Sequence, residues 1–413
     1  MPALAAVGCF LTVLGATSLT RSRGASADAQ ASGPSRPPDH ASHGGHASHG
    51  GAKIRSFDTP RRGANYVLAD GDPTPDFRDA KSYRMNLLRL FVPGVPRGWP
   101  EQEDYFASER FDVDLAGFDA ALAKAASLQI PVVVVGGSVP GRQWLWTTHE
   151  RGDQRLWRNP RWHEALAEYW GRLARRYRDH PAVVAYELLN EPHPEATEER
   201  EQWSRAELQE FSRKVAGTPA DLNLVYRRAV AAVRDVDRET PIVLDSSLWA
   251  SPATFSSLTP IAGDDHVLCS VHWYEPGEYT VWRTNRGALS YPGCVTLRRG
   301  EDGSTESVKW NRSTHRRLMV EPIREWQRRT AVPSNRILCG EFSADRRAPG
   351  ADQWNAEVLA LLEENGWHWT YYAFRESDWN AKDFELGPDA EARTRSAGRM
   401  MKTFADAMSR NRP

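Results

Sequence analysis

Eight short apolar runs, separated by amphipathic stretches and polar loops, constrain this chain more than any other feature of it. They span 64–67, 87–91, 131–135, 183–189, 241–245, 267–272, 336–339 and 369–374. Runs such as Val132-Val133-Val134-Val135 show no apolar–polar alternation, as expected of parallel strands buried on both faces. The intervening segments follow a different period. Trp162, Leu166, Trp170, Leu173 and Tyr177 recur at three-to-four spacing with Arg and Glu opposite, the stripe of a helix packed on one side. Segments 221–236 and 353–365 repeat it, and a last helix over 390–408 is expected to pack beside the first strand. Eight strands alternating with helices predict an α/β fold, a single (β/α)8 TIM barrel. A chain of 413 residues fits one barrel, because this architecture often exceeds the usual domain length.

The barrel reading assigns 53–413 to one (β/α)8 domain. Ahead of it, Pro2 to Leu14 are apolar and small, and Ala25-Ser26-Ala27 offers a cleavage site, so 1–27 read as a secretory signal peptide. A lipoprotein signal around Cys9 is the alternative. Residues 28–52 are rich in Ser, Gly, Pro and His without apolar periodicity, which predicts a disordered linker. Its repeat, His40-Ala-Ser-His43 and His46-Ala-Ser-His49, carries a weaker metal-binding reading. Location is therefore expected to be secreted or periplasmic, with no membrane association once the signal is removed. Lys and Arg total 53 against 54 Asp and Glu, with no long basic run, so a nucleic-acid partner is not expected. Beyond the signal only Cys269, Cys294 and Cys339 remain, an odd count that argues against a disulfide framework and allows one pair at most. Strand parity sets Cys339 beside Glu341 on the inward side and Cys269 toward the helices, so the two are not expected to pair.

In such a barrel, reactive groups sit at the C-terminal ends of strands. The fourth run ends Asn190-Glu191-Pro192 and the seventh leads into Gly340-Glu341-Phe342. Hydrolysis of a glycosidic bond with retention needs a proton donor and a carboxylate nucleophile roughly 5–5.5 Å apart, and strands on opposite sides of the mouth supply that span. Glu191 is the candidate acid/base and Glu341 the candidate nucleophile, whose ionised form a cation such as Arg89⁺ would favour if it stood nearby. Asn190 is placed to meet a sugar 2-hydroxyl. Tyr274 is placed to donate to Glu341, and His272 shares its parity. Arg89 also suits a structural ion pair with Glu187, and the two roles are compatible. His193 reads as a loop residue.

The Asn190-Glu191-Pro192 motif, with Tyr186-Glu187-Leu188-Leu189 before it, resembles the acid/base signature of glycoside hydrolase family 5, the cellulase family. Gly63-Ala64-Asn65, Arg89 on the second run, His272-Trp273-Tyr274 on the sixth and Gly340-Glu341-Phe342 on the seventh match that family in order. The resemblance covers about residues 60 to 405. It implies a hydrolase of β-linked polysaccharide or oligosaccharide, expected to be an endo-β-1,4-glucanase acting as a monomer without cofactor or metal. A β-mannanase and an exo-β-1,3-glucanase are the nearest alternatives, and a non-catalytic carbohydrate-binding barrel is the rival of a different class. Two departures bear on substrate. The third run ends Val135-Gly136-Gly137-Ser138, where family members often place a histidine. The family's last-strand tryptophan falls on Tyr372, with Trp369 and Trp379 as substitutes. Trp144, Trp146 and Trp157 in one loop, and Trp282, Tyr291 and Trp310 in another, are candidate groove aromatics.

Overall fold

A computed structural model of the chain describes residues 53–69, 71–94, 115–142, 153–198, 200, 203–298, 305–376 and 380–411. The expected signal peptide, linker, Trp144, Trp146 and Trp379 lie outside the described residues. Eight parallel strands close into a barrel: β1 (Arg62–Tyr66), β2 (Leu88–Phe91), β3 (Val132–Val135), β4 (Val183–Glu187), β5 (Ile242–Asp245), β6 (Val267–Trp273), β9 (Ile337–Phe342) and β10 (His368–Tyr371), with β1 against β10 at the seam. All eight apolar runs are found as barrel strands.

The segment between β6 and β9, expected as a long loop, contains a hairpin of β7 (Gly293–Arg298) and β8 (Thr305–Trp310). Its signal was a period of two. Val295 and Leu297 on one strand, and Val308 and Trp310 on the other, are buried while their neighbours face outward.

Two apolar layers hold the barrel. Inside, Leu87, Val133, Val135, Ala185, Val243, Leu268 and Leu338 fill the lower interior, joined by Ile54 and Phe57 from a short helical turn ahead of β1. Outside, the opposite faces of the strands meet the helices. Helix α1 (Thr74–Ser82) follows β1, and α2 (Ala116–Ser127) precedes β3. Helix α3 (Arg161–Tyr177) buries Trp162, Leu166, Trp170, Leu173 and Tyr177 and packs on α5 (Leu222–Arg234). Trp170 Nε1 donates to Leu188 O at 2.9 Å, pinning that helix to the end of β4. Between them runs α4 (Arg205–Val215), which starts with a reciprocal Ser204–Glu207 cap. Helices α6 (Glu321–Thr330) and α7 (Ala351–Asn365) flank β9.

The final helix α8 begins at Arg399 and runs to Met408, shorter than expected, because 390–398 are polar and largely exposed and offer no apolar stripe. It closes the seam as foreseen. Phe404 stacks on Tyr371 of β10 at 4.3 Å, while Arg62 of β1 binds Glu363 and donates to Asn411 Oδ1 at 2.9 Å.

One irregularity decides which residues face the interior. The β6–β9 register shifts between Val271 and His272, so that Val271 pairs with Cys339 but His272 pairs with Glu341. Gly340 is the extra residue, a β-bulge. A Cβ there would stand 2.9 Å from His272 Nε2 and 3.0 Å from Ser270 Oγ, so any larger residue would push His272 from its place. The bulge turns Glu341 inward beside Gly340 and leaves Cys339 in the helix-facing layer, correcting the inward placement that simple parity gave it. Cys269 lies in the same layer, and Cys269, Cys294 and Cys339 are all free thiols. Among the described residues no helix is long and apolar enough to cross a membrane.

Candidate active site

The upper interior of the barrel is polar, and its organising group is Arg89. Fully buried on β2, its guanidinium pairs with both carboxylate oxygens of Glu187, donates to Glu341 Oε1 at 2.9 Å and to Asn190 Oδ1 at 2.9 Å, and also binds Asn65. Asn65 Nδ2 donates in turn to Gly340 O at 2.9 Å. The structural ion pair with Glu187 and the contact with Glu341 therefore coexist in one planar fork.

Glu191 and Glu341 meet above this cation. Tyr274 Oη donates to Glu341 Oε2 at 2.8 Å, and His272 Nδ1 lies 2.9 Å from Glu191 Oε1. One oxygen from each carboxyl, together with a ring nitrogen of His272, lie within 4.8 Å of one another. Asn190 turns its carbonyl to Arg89, which leaves its amide N–H2 as the end available to a hydroxyl. Tyr372, just after β10, donates to Glu376 Oε1 at 2.9 Å, and its phenol lies close enough to feel the charges of Glu341 and Glu191. Trp369 does not substitute for it, since its ring belongs to the helix-facing layer and its Nε1 binds Glu363. Trp157, Tyr291 and Trp310 are likewise buried core residues, which removes them from the candidate groove.

Burial sets the electrostatics. It raises the Glu191 carboxyl well above the ordinary range, helped by the nearby charges of Glu341 and Asp245 and opposed by Arg142 and Arg89. Burial also raises Glu341, but Arg89⁺ and the Tyr274 hydroxyl pull it back. In this coupled pair Glu341 is the one that ionises first, and the proton resides on Glu191. Desolvation and Arg89 depress His272 well below its usual value, leaving a neutral ring beside Glu191.

Two carboxylate–histidine groups have ligand-like spacing, Glu187–Asp245–His272 and Glu191–His272–Glu341. Both Glu187 oxygens and one Glu341 oxygen already accept from Arg89. A divalent ion would have to displace or crowd a buried guanidinium, so these donors do not fit a resident metal.

Three residues at the site escaped the sequence reading. Arg142 donates to Glu191 O at 2.6 Å. Asp245, at the end of β5, accepts the Glu191 N–H at 3.0 Å. Trp249 rides on a left-handed turn in which Leu248, Trp249 and Ala250 all have positive φ, with its ring centroid 4.5 Å from that of His193. Beneath that turn the buried Glu195 accepts from Ser247 Oγ at 2.6 Å and from Leu248 N at 3.2 Å, and burial lifts its carboxyl to about 7. A strand-end Asp was visible in the sequence; loop residues whose partners come from other strands carry no periodic signal.

The family model of cellulase (glycosyl hydrolase family 5) matches residues 77–378. Endoglucanase C of Acetivibrio thermocellus is 24% identical over 249 residues, which is 56% of this chain and 64% of that protein. This chain thus spans less than two thirds of that relative. An endoglycoceramidase of Cyanea nozakii is 27% identical over 121 residues, 28% of this chain and 22% of that protein. Among solved structures, Thermotoga maritima Cel5A in complex with cellobiose superposes with a TM-score of 0.58 at 18% identity, covering 86% of this chain and 99% of that one. The same enzyme with mannotriose gives 0.57 at 16%, over 86% and 99% of the two chains. These structural likenesses speak to the barrel. More than half of the chain lies within the family match, so it belongs to glycosyl hydrolase family 5, the cellulase family.

Proposed function

We propose that the protein is a retaining β-glycosidase that cleaves β-1,4-linked glucan internally, with Glu191 as general acid/base and Glu341 as nucleophile. The observation that carries this reading is the pair of buried carboxyls with oxygens within 4.8 Å of each other, only one of them held by a cation. Oxygens this close accord with the roughly 5–5.5 Å carboxyl separation of a retaining pair.

In the first step a Glu341 oxygen bonds to the anomeric carbon. The bond to the leaving oxygen breaks, and Glu191 transfers its proton there. In the second step Glu191, now a carboxylate, removes a proton from water as the water oxygen takes the anomeric carbon from Glu341. Arg89 and Tyr274 keep Glu341 anionic and aimed. Asn190 offers its N–H to the 2-hydroxyl, a contact that tightens as positive charge develops on the ring. His272 holds the Glu191 carboxyl, and Tyr372 flanks the reacting sugar. The four groups Glu191, Glu341, Arg89 and Tyr274 together weigh against a barrel that only binds carbohydrate. No cofactor enters either step.

The name of the endoglucanase C relative supports glucan as substrate. The mannotriose complex of the Cel5A neighbour keeps β-mannan as a second reading. A polymeric substrate accords with a secreted or periplasmic enzyme, and we infer that 1–27 serve as its signal peptide. The test is reducing-sugar release from a panel of soluble β-1,4-glucan, β-1,3-glucan and β-mannan, wild type beside Glu341→Gln. Release on one polymer, lost in the variant, is expected. No release on any polymer or on activated aryl glycosides overturns the proposal.

A further inference from the structure

Glu191 has φ of +51°, a left-handed backbone that an L-residue with a side chain adopts only when its surroundings impose it. Its peptide is gripped from both sides by buried charged groups. On the amide side, Asp245 Oδ2 accepts the Glu191 N–H at 3.0 Å. On the carbonyl side, Arg142 Nη2 donates to Glu191 O at 2.6 Å, while Arg142 Nη1 donates to Gly137 O at 3.1 Å. Both side chains are almost wholly inaccessible. Arg142 is itself fixed. It closes a tight turn through paired backbone bonds with Val139, and the turn's Gly141, with φ of +77°, packs so closely on Trp162 of α3 that a Cβ would stand 2.8 Å from that ring.

We propose that Arg142 and Asp245 are positioning residues that hold the Glu191 peptide in its left-handed conformation and so aim its carboxyl at the glycosidic oxygen. The inference rests on the reading of Glu191 as acid/base. One guanidinium bridges the loop after β3 to the loop after β4, and the Asp245 carboxyl joins them to the end of β5. A rotation of Glu191 toward ordinary φ would swing its side chain away from His272 and Glu341. The charge of Arg142 also stabilises the carboxylate that Glu191 becomes after giving up its proton. The groups facing that carboxyl are Glu341, Asp245, Arg142, Arg89 and His272.

The test compares two substrates, phenyl and dinitrophenyl β-cellobioside, because only the poorer leaving group needs a well-aimed acid. Arg142→Met is expected to lower kcat/KM on the phenyl substrate by about 100-fold and on the dinitrophenyl substrate by less than about threefold, within the range for general acid catalysis. The basic limb of its pH profile is expected to move up, since a cation near Glu191 is lost. Arg142→Lys keeps the charge and one donor, and is expected to recover about tenfold on the phenyl substrate with the limb near its wild-type place. It also serves as the readable variant should the methionine variant not fold. Equal losses on the two substrates, or an unmoved basic limb in the methionine variant, would overturn the inference. Glu191→Ala is run alongside. If it lacks the leaving-group split, the acid assignment fails and takes this inference with it. If it shows the split and neither Arg142 variant does, the inference alone fails.

Discussion

Replacing Arg89 with methionine keeps most of the side chain's length and removes its charge. The structure fixes what is then left behind: Glu187 loses the partner of both oxygens, and Glu341 and Asn190 each lose a 2.9 Å bond. Breaking a buried ion pair from one side costs about 3–5 kcal/mol. The cost depends on pH in a definite direction. A buried carboxylate without its cation takes up a proton rather than remain charged. For a carboxyl of ordinary acidity that uptake costs about 1 kcal/mol at pH 5 and about 5 kcal/mol at pH 8, at ~1.36 kcal/mol per pH unit. The folded variant therefore holds protons that the unfolded chain has released, so its stability falls as pH rises. With total stabilities of ~5–15 kcal/mol, the variant is expected to remain folded at pH 5 and to lose a large share of its stability at pH 8. Urea unfolding followed by tryptophan fluorescence at both pH values measures this. A loss equal at the two pH values, or a variant within about 1 kcal/mol of wild type at pH 8, refutes the role of Arg89 as the balancing charge of the barrel interior.

Three further outcomes are expected. Gly340→Ala places a methyl group 2.9 Å from His272 Nε2; forced repacking should cost ~1–3 kcal/mol and, by displacing His272 from Glu191, lower kcat, so a variant with wild-type melting and turnover would contradict the bulge. Tyr274→Phe removes a hydrogen bond to a charged carboxylate, worth ~1.5–3 kcal/mol. Its kcat should drop roughly 10- to 100-fold, and the acid limb of the rate profile should move up because Glu341 becomes harder to ionise; an unmoved limb argues against the contact. Glu195→Gln should flatten the dependence of stability on pH. Burial lifts the folded carboxyl to about 7 from 4.5, so the native protein binds a proton that the unfolded chain has lost, and stability declines as pH climbs between those values. Removing the group abolishes up to ~3 kcal/mol of that decline, and parallel urea midpoints for the two proteins from pH 5 to 8 would disprove it.

The barrel was readable in the sequence because strands buried on two faces carry near-continuous apolar runs. Eight such runs between helical stripes are the pattern of an α/β barrel. Glu191 and Glu341 could be picked out as carboxyls just past strand ends, while Arg89, Asn190, His272 and Tyr274 were placed beside them by the family resemblance of short motifs on or next to strands. Strict alternation failed at Cys339. The bulge at Gly340 inserts one residue without a partner, and an isolated glycine in an apolar run gives no notice of which way the next side chain will turn. Arg142 and Trp249 were illegible for another reason. Each acts through a backbone atom or ring that comes from a different strand's loop, and no local pattern encodes such a meeting.

The seam between β1 and β10 has a consequence for how the protein comes into being. Arg62 reaches Asn411 across 349 positions, and β1 finds its second neighbour only when residues near 370 exist. During synthesis the first strand emerges long before the strand that will cover its open side. For that interval the nascent chain presents an unpaired edge, a template for pairing with another copy. Crowding of ribosomes on one message would bring such edges together. Expression yield of this enzyme should therefore respond to translation rate and to chaperones that shield extended apolar segments, even where the finished barrel is stable.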